Sequence, residues 1–192
     1  MLEFLNQLDT QAFLLVNGWN HPLIDPFMVF VSGKISWLPL YLVLLYFIIR
    51  QYRWQSVMVL LIIGLMITAS DQLSVRAFKY VFERPRPCHE NDLLPLIHLV
   101  NGKCGGAYGF VSSHAANAFA LAGFIILMFR NRHRFIGPIM FAYAFLVAYS
   151  RVYLGVHYPG DVIVGGMLGI VVAITAFRVF RLAEEKWCKK SC

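Results

Sequence analysis

The chain has 192 residues, 59% of them hydrophobic and 14% charged, whereas a soluble domain normally carries about a quarter charged residues. That deficit, with a mean hydropathy of +0.63, excludes disorder, a disulfide-rich miniprotein and a nucleic-acid-binding domain, and points to a polytopic membrane protein. The net charge of +7 sits in short clusters between apolar runs, so a bilayer, and no nucleic acid, is the expected partner.

Residues 1–33 open with Leu2, Leu5, Leu8, Phe13, Leu14 and Val16 at amphipathic-helix spacing, and Pro22 to Ser32 adds a short apolar piece containing Asp25. Glu3, Asp9 and the lack of a basic start argue against a cleaved signal peptide. An interfacial helix plus a short or broken first span is expected. Five uncharged runs follow, Ile35 to Ile49, Trp54 to Ser70, Ala115 to Phe129, Phe135 to Ser150 and Val162 to Phe177, each of 15 to 17 residues. About 20 residues cross a hydrocarbon core, and flanking aromatic, Arg and Lys side chains lengthen each run by snorkelling. The predicted fold is all-α, a single-domain membrane bundle of about six transmembrane helices: the five clear spans and the short or broken first one. Residues 178–192 are read as its tail.

Arg50 and Arg53, Arg130, Arg132 and Arg134, and Arg178, Arg181, Lys186, Lys189 and Lys190 together hold ten of the 17 basic residues. If the spans alternate, all ten share one side, which the positive-inside rule makes cytoplasmic. The segment from Lys79 to Ser113 and the turn from Arg151 to Asp161 then face outward. Cys88 and Cys104 lie in that outer segment, where an oxidising compartment predicts a disulfide, while Cys188 and Cys192 fall in the cytoplasmic tail. Asp71 reads as a buried partner for a cation or as an interfacial carboxylate. Gly165 and Gly169 form a small-residue pair that lets another helix approach closely.

Three clusters carry the chemistry. In the first, from Lys79 to Pro87, prolines stop a helix that ends in cations; Lys79 offers a point charge and Arg86 a planar fork for phosphate oxygens. Charge at a helix end or a headgroup boundary would look the same. In the second, Ser112-Ser113-His114 precedes an apolar run, so a helix starts there with unpaired amides that favour an anion, although capping alone explains the serines. In the third, Ser150-Arg151 precedes His157 and Asp161. Pro159 places His157 just ahead of a helix, and Asp161 is within reach of the imidazole to fix its tautomer. A metal site built on these groups, or on His89, Glu90, Asp92 and His98, stays open as an alternative. The predicted topology puts all three clusters on one face, where cations, helix-end amides and paired histidines suggest phosphoryl transfer without a metal.

In this order and spacing the clusters resemble the three signature motifs of the type 2 phosphatidic acid phosphatase superfamily, which includes vanadium haloperoxidases and glucose-6-phosphatase. Lys79, Arg86 and Pro87 match the first motif, and Ser150, Arg151, His157 and Asp161 match the third in full. Val111-Ser112-Ser113-His114 matches the second with its usual Pro and Gly replaced. The resemblance implies a lipid phosphatase that needs no cofactor or metal. It implies that His157 attacks phosphorus, Asp161 orients it, and His114 protonates the leaving oxygen. Lys79, Arg86, Ser112, Arg151 and the amide of Ser113 would hold the phosphoryl oxygens. It also implies a bacterial inner membrane, with the site facing the periplasm or exterior, and a lipid substrate such as undecaprenyl pyrophosphate, phosphatidylglycerophosphate, phosphatidic acid or a lipid A phosphate. An isoprenoid or glycerolipid phosphate is the favoured expectation. A non-catalytic lipid-phosphate binder or transporter is the alternative, and it leaves the two histidines and Asp161 without a purpose.

Overall fold

The computed structural model describes residues 2–191, all helix, turn and loop without a strand element among the described residues. Helix α1 (Leu2–Gly18) and the short α2 (Asp25–Ser32) precede α3 (Leu38–Tyr52) and α4 (Ser56–Leu73). The helical path of α4 continues through a wider π-type segment, Ser74–Lys79, into a single turn, α5 (Tyr80–Phe82). After a long loop come α6 (Ser113–Phe129), α7 (Ile136–Tyr153) and α8 (Pro159–Ser191). Each of the five uncharged runs lies on its own long helix, α3, α4, α6, α7 or α8. Prolines stand where their missing N–H costs least, at the starts of α2, α3 and α8.

The stretch Ile35–Phe82, together with Ile136–Tyr153 and Pro159–Lys186, is long and apolar enough to cross a bilayer. The first of these holds both α3 and α4, which the chain separates by reversing at Arg53, where φ is 48°. Ser113–Phe129 is a shorter apolar helix, central in the bundle, with Ala115, Ala116, Ala120, Phe124 and Ile125 inaccessible to solvent. Large apolar side chains cover the outside instead: Leu65 on α4, Phe141 on α7 and Met167 on α8 are all more than half exposed. This inside-small, outside-large arrangement suits lipid rather than water. The protein is an integral membrane helical bundle.

The glycine pair on α8 does pack within the bundle. A Cβ built on Gly169 would lie 2.2 Å from the Ala116 carbonyl oxygen, and one on Gly165 would lie 2.7 Å from that of Ser112. Helices α6 and α8 therefore meet backbone to backbone.

The two ends of the bundle differ. At one end Arg132 Nη1 donates to Gln51 Oε1 at 3.0 Å, so the α3–α4 and α6–α7 turns share the arginine-rich end. At the other end the long loop, the α7–α8 turn and α1 meet. Asp9 Oδ1 accepts from the Gly160 amide at 2.7 Å, and Asn17 Nδ2 donates to the Tyr153 carbonyl at 2.8 Å. The middle and the C-terminal end of α1 thus rest on the same rim. The short α2 follows α1 and, at eight residues, is too short to cross a bilayer by itself. The tail read as 178–192 continues α8 as helix to Ser191; Cys192 and the side chain of Cys188 lie outside what the structure describes.

Candidate active site

The first cluster is built by a helix that stops and a loop that is clamped. Glu83 ends the helical path with a left-handed φ of 46°, and Arg84-Pro85-Arg86 runs extended against residues 107–109. Arg86 N donates to the Ala107 carbonyl at 3.2 Å, and Gly109 N to that of Arg84 at 2.8 Å. In an extended segment residues two apart face the same way, so Arg84 and Arg86 point together. The expected disulfide joins Cys88 to Cys104 with Cα atoms 5.8 Å apart. Beside it Gly105 takes a φ of +102°, and a Cβ there would touch the Arg86 guanidinium at 3.5 Å.

The second and third clusters are two helix starts tied together. Ser112 caps α6, its hydroxyl accepting from the Ala115 amide at 3.5 Å, and its own amide donates to the Asp161 carbonyl at 2.9 Å. The Ser112 side chain caps the helix as an acceptor, which leaves its O–H to donate, and is fully buried. Ser113, which follows it, turns its hydroxyl to Lys79, whose Nζ donates at 3.0 Å, and to Ser74 at 2.6 Å. Asp161 lies in the first turn of α8 with no exposed surface. Its Oδ2 stands 3.3 Å from His157 Nδ1 and accepts from the Tyr158 amide at 3.1 Å, while Oδ1 accepts from Arg84 Nη1 at 3.0 Å.

On the other side of the same ring, His157 Nε2 lies 3.2 Å from Arg86 Nη1. A guanidinium can only donate, so Nε2 is the lone-pair nitrogen and Nδ1 carries the proton that Asp161 holds. Burial, followed by the charges of Arg86, Arg151 and Lys79, holds the His157 imidazole well below its ordinary pKa. The ring is neutral, and its lone-pair nitrogen faces the Arg86 guanidinium.

Lys79, Arg86, Ser113, His114, Arg151 and His157 all line one cavity of about 730 Å³. Residues separated by 78 positions in the chain thus meet, and the two histidines share a single chamber. Arg86 Nε and Arg151 Nε are buried donors without a protein partner among the described residues, which suits them to an oxyanion. Away from the charges the cavity is walled by Trp37, Leu44, Ile48, Ile63, Ile125 and Val147. A polar head and an apolar body would both find their solvent here.

Four residues that the three motifs do not specify also reach this region. Ser32 Oγ accepts from Arg151 Nη1, Lys34 lines the chamber with Asp71, Arg84 holds Asp161, and Asp9 pairs with Arg84 at 2.8 Å. Only Arg84 left a readable sign, a second arginine two positions before Arg86 in a proline-flanked extended run. The other three reach the site through tertiary folding. Of the possible metal ligands in the loop, His98 Nε2 pairs with Asp25 at 2.8 Å. Cys88, His89 and Cys104 are close together, but their sulfurs are bonded to each other.

The PAP2 superfamily model matches residues 59–185. The chain is 40% identical over 171 residues to a lipid A 4'-phosphatase of Bacteroides thetaiotaomicron, covering 88% of this chain and 75% of that one. It is 35% identical over 194 residues to a lipid A 4'-phosphatase of Porphyromonas gingivalis, covering all of this chain and 80% of its relative. The crystal structure of Aquifex aeolicus LpxE superposes with a TM-score of 0.64 at 29% identity, covering 89% of this chain and 95% of that one. With its motifs gathered round one chamber and its relatives matched over three quarters of their length or more, this chain belongs to the PAP2 superfamily and is a membrane phosphatase.

Proposed function

We propose that the enzyme removes phosphate from a lipid at the extracytoplasmic face of a bacterial inner membrane, without a metal, through a phosphohistidine on His157. The observation that carries this reading is the pairing of His157 with Asp161 on one nitrogen and with the cationic chamber on the other. Nε2 attacks phosphorus and the bond from phosphorus to the lipid oxygen breaks. His114 gives that oxygen its proton, while Asp161 stabilises the charge that develops on the His157 ring. Lys79, Arg86, Arg151 and the amide of Ser113 at the start of α6 hold the phosphoryl oxygens. Water then attacks phosphorus, His114 takes its proton, and the nitrogen–phosphorus bond breaks to release phosphate. Ser112 contributes by starting α6 in the right place.

Two independent features support the outward orientation. The arginine-rich end lies opposite the site, and the Cys88–Cys104 disulfide, a bond that persists in an oxidising compartment, lies on the site's own end. For the substrate, the similarity to two lipid A 4'-phosphatases supports a lipid A phosphate over the isoprenoid or glycerolipid phosphates favoured from the sequence.

The test is phosphate release from detergent-solubilised lipid A, undecaprenyl pyrophosphate, phosphatidylglycerophosphate and phosphatidic acid. Lipid A should give the highest kcat/KM, EDTA should leave it intact and vanadate should inhibit. His157→Ala should lose at least about a thousandfold in kcat. A strict need for a divalent metal, or full activity in that variant, would overturn the chemistry; a higher kcat/KM on another lipid would overturn the substrate.

A further inference from the structure

Arg84 belongs to none of the three motifs, yet it makes the closest side-chain contact to Asp161. Its Nη1 lies 3.0 Å from Asp161 Oδ1 and its Nη2 lies 2.8 Å from Asp9 Oδ2. The guanidinium is further fixed by the Tyr158 ring, whose centroid is 4.0 Å from Cζ. Asp9 in turn accepts from the Gly160 amide at 2.7 Å, so the carboxylate that holds Arg84 also holds the first turn of α8, where Asp161 stands. A chain of polar contacts runs from α1 through Asp9, Arg84 and Asp161 to His157 Nδ1.

The arrangement has a clear physical consequence. Asp161 is fully buried, and a buried carboxylate is stable as an anion only when paired and hydrogen-bonded. Arg84 supplies the pairing on Oδ1, which leaves Oδ2 aimed at the imidazole. Arg86, the nearer motif cation, is turned to the other ring nitrogen. A single guanidinium held in two directions by Asp9 and Tyr158 has little freedom to let Asp161 swing.

We propose that Asp9 and Arg84 are positioning residues that act through Asp161 to keep His157 in its Nδ1–H tautomer, so that α1 is a working part of the active site. This rests on His157 being the nucleophile. In the full-length enzyme in detergent, with lipid A as the probe, Arg84→Gln should lower kcat by about 10- to 100-fold with KM changed less than about twofold. Asp9→Asn is close to isosteric and should lower kcat toward the bottom of that range, about tenfold. Because Asn keeps the oxygen that accepts from the Gly160 amide and loses only the charge that acts through Arg84, the double variant should lose no more than Arg84→Gln alone.

Histidine-selective ¹⁵N spectra supply a readout that mere loss of packing would not move, and they need no substrate. The parent should show one Nδ1–H tautomer at His157, and Arg84→Gln and Asp9→Asn a mixture. Should Arg84→Gln fail to fold, Asp9→Asn carries the same test alone. Unchanged kcat in the single variants, losses that multiply in the double variant, or an unchanged tautomer would overturn the proposal. Turnover that survives in His157→Ala would instead refute the nucleophile assignment, an outcome told apart from these because the spectra still report whether the pair sets the tautomer.

Discussion

Arg86 Nη1 lies 3.2 Å from His157 Nε2, so the cation proposed to hold phosphate oxygens also covers the nitrogen proposed to attack phosphorus. In the proposed mechanism an arriving phosphate competes for that guanidinium and frees the nucleophile as it binds. The hydrogen bond therefore couples recognition to activation, and Lys cannot reproduce the fork. Arg86→Lys should cost about 1.5–3 kcal/mol of transition-state stabilisation, roughly 10- to 100-fold in kcat/KM. Steady-state kinetics check this; a change in KM alone would contradict it.

The neutral, buried His157 makes stability depend on pH. Its pKa in the folded protein is held well below the ordinary value, so the unfolded chain takes up a proton first as pH falls below about 6.5. The stabilisation is full above that value and drains away below it. The thermal midpoint in detergent should fall between pH 6.5 and 5, and His157→Gln should flatten the slope. An equal slope in both proteins would show that other groups set it.

Gly169 and Gly64 offer a contrast within one bundle. A Cβ on Gly169 meets backbone at 2.2 Å, whereas one on Gly64 in α4 has nothing within 4 Å. Gly169→Ala should destabilise by about 3 kcal/mol, the upper end for overpacking, and should separate α6 from α8 at the site. Gly64→Ala should be neutral or stabilise by up to about 1 kcal/mol. Thermal unfolding of both variants is the measurement.

The disulfide closes a separation of 16 residues, around which chain-entropy arguments give about 3 kcal/mol. Cys88→Ser with Cys104→Ser should therefore lower stability by about 2–4 kcal/mol. It should also raise KM, since Gly105 and the segment after Pro87 brace Arg86. Thiol alkylation before and after reduction confirms the state being compared.

The helices and motifs were legible because their signals are local. An uncharged run such as Val162 to Phe177 declares a span by composition, and Pro159 marks where α8 begins. Ser112 was legible as a cap, and its hydroxyl accepts from the Ala115 amide as a cap does. Asp9 and Asn17 were not legible as partners of the site. Each looks like an ordinary polar residue on an interfacial helix, and its contacts lie up to 151 residues away. Lys34 and Ser32 were missed for the same reason. Which loop residues meet at the end of a bundle is set by how the helices pack, and that leaves no periodic mark in the chain.

The central claim is that His157 bonds to phosphorus, and trapping that bond tests it most directly. The enzyme would be mixed with lipid A carrying ³²P, quenched within the first turnover in alkali, where phosphohistidine survives, and mapped by mass spectrometry, with low temperature used to slow release. The account expects label on the peptide holding His157 and none in His157→Ala. Label on a different residue, or turnover that leaves no labelled protein under conditions where release is slowed, would contradict it.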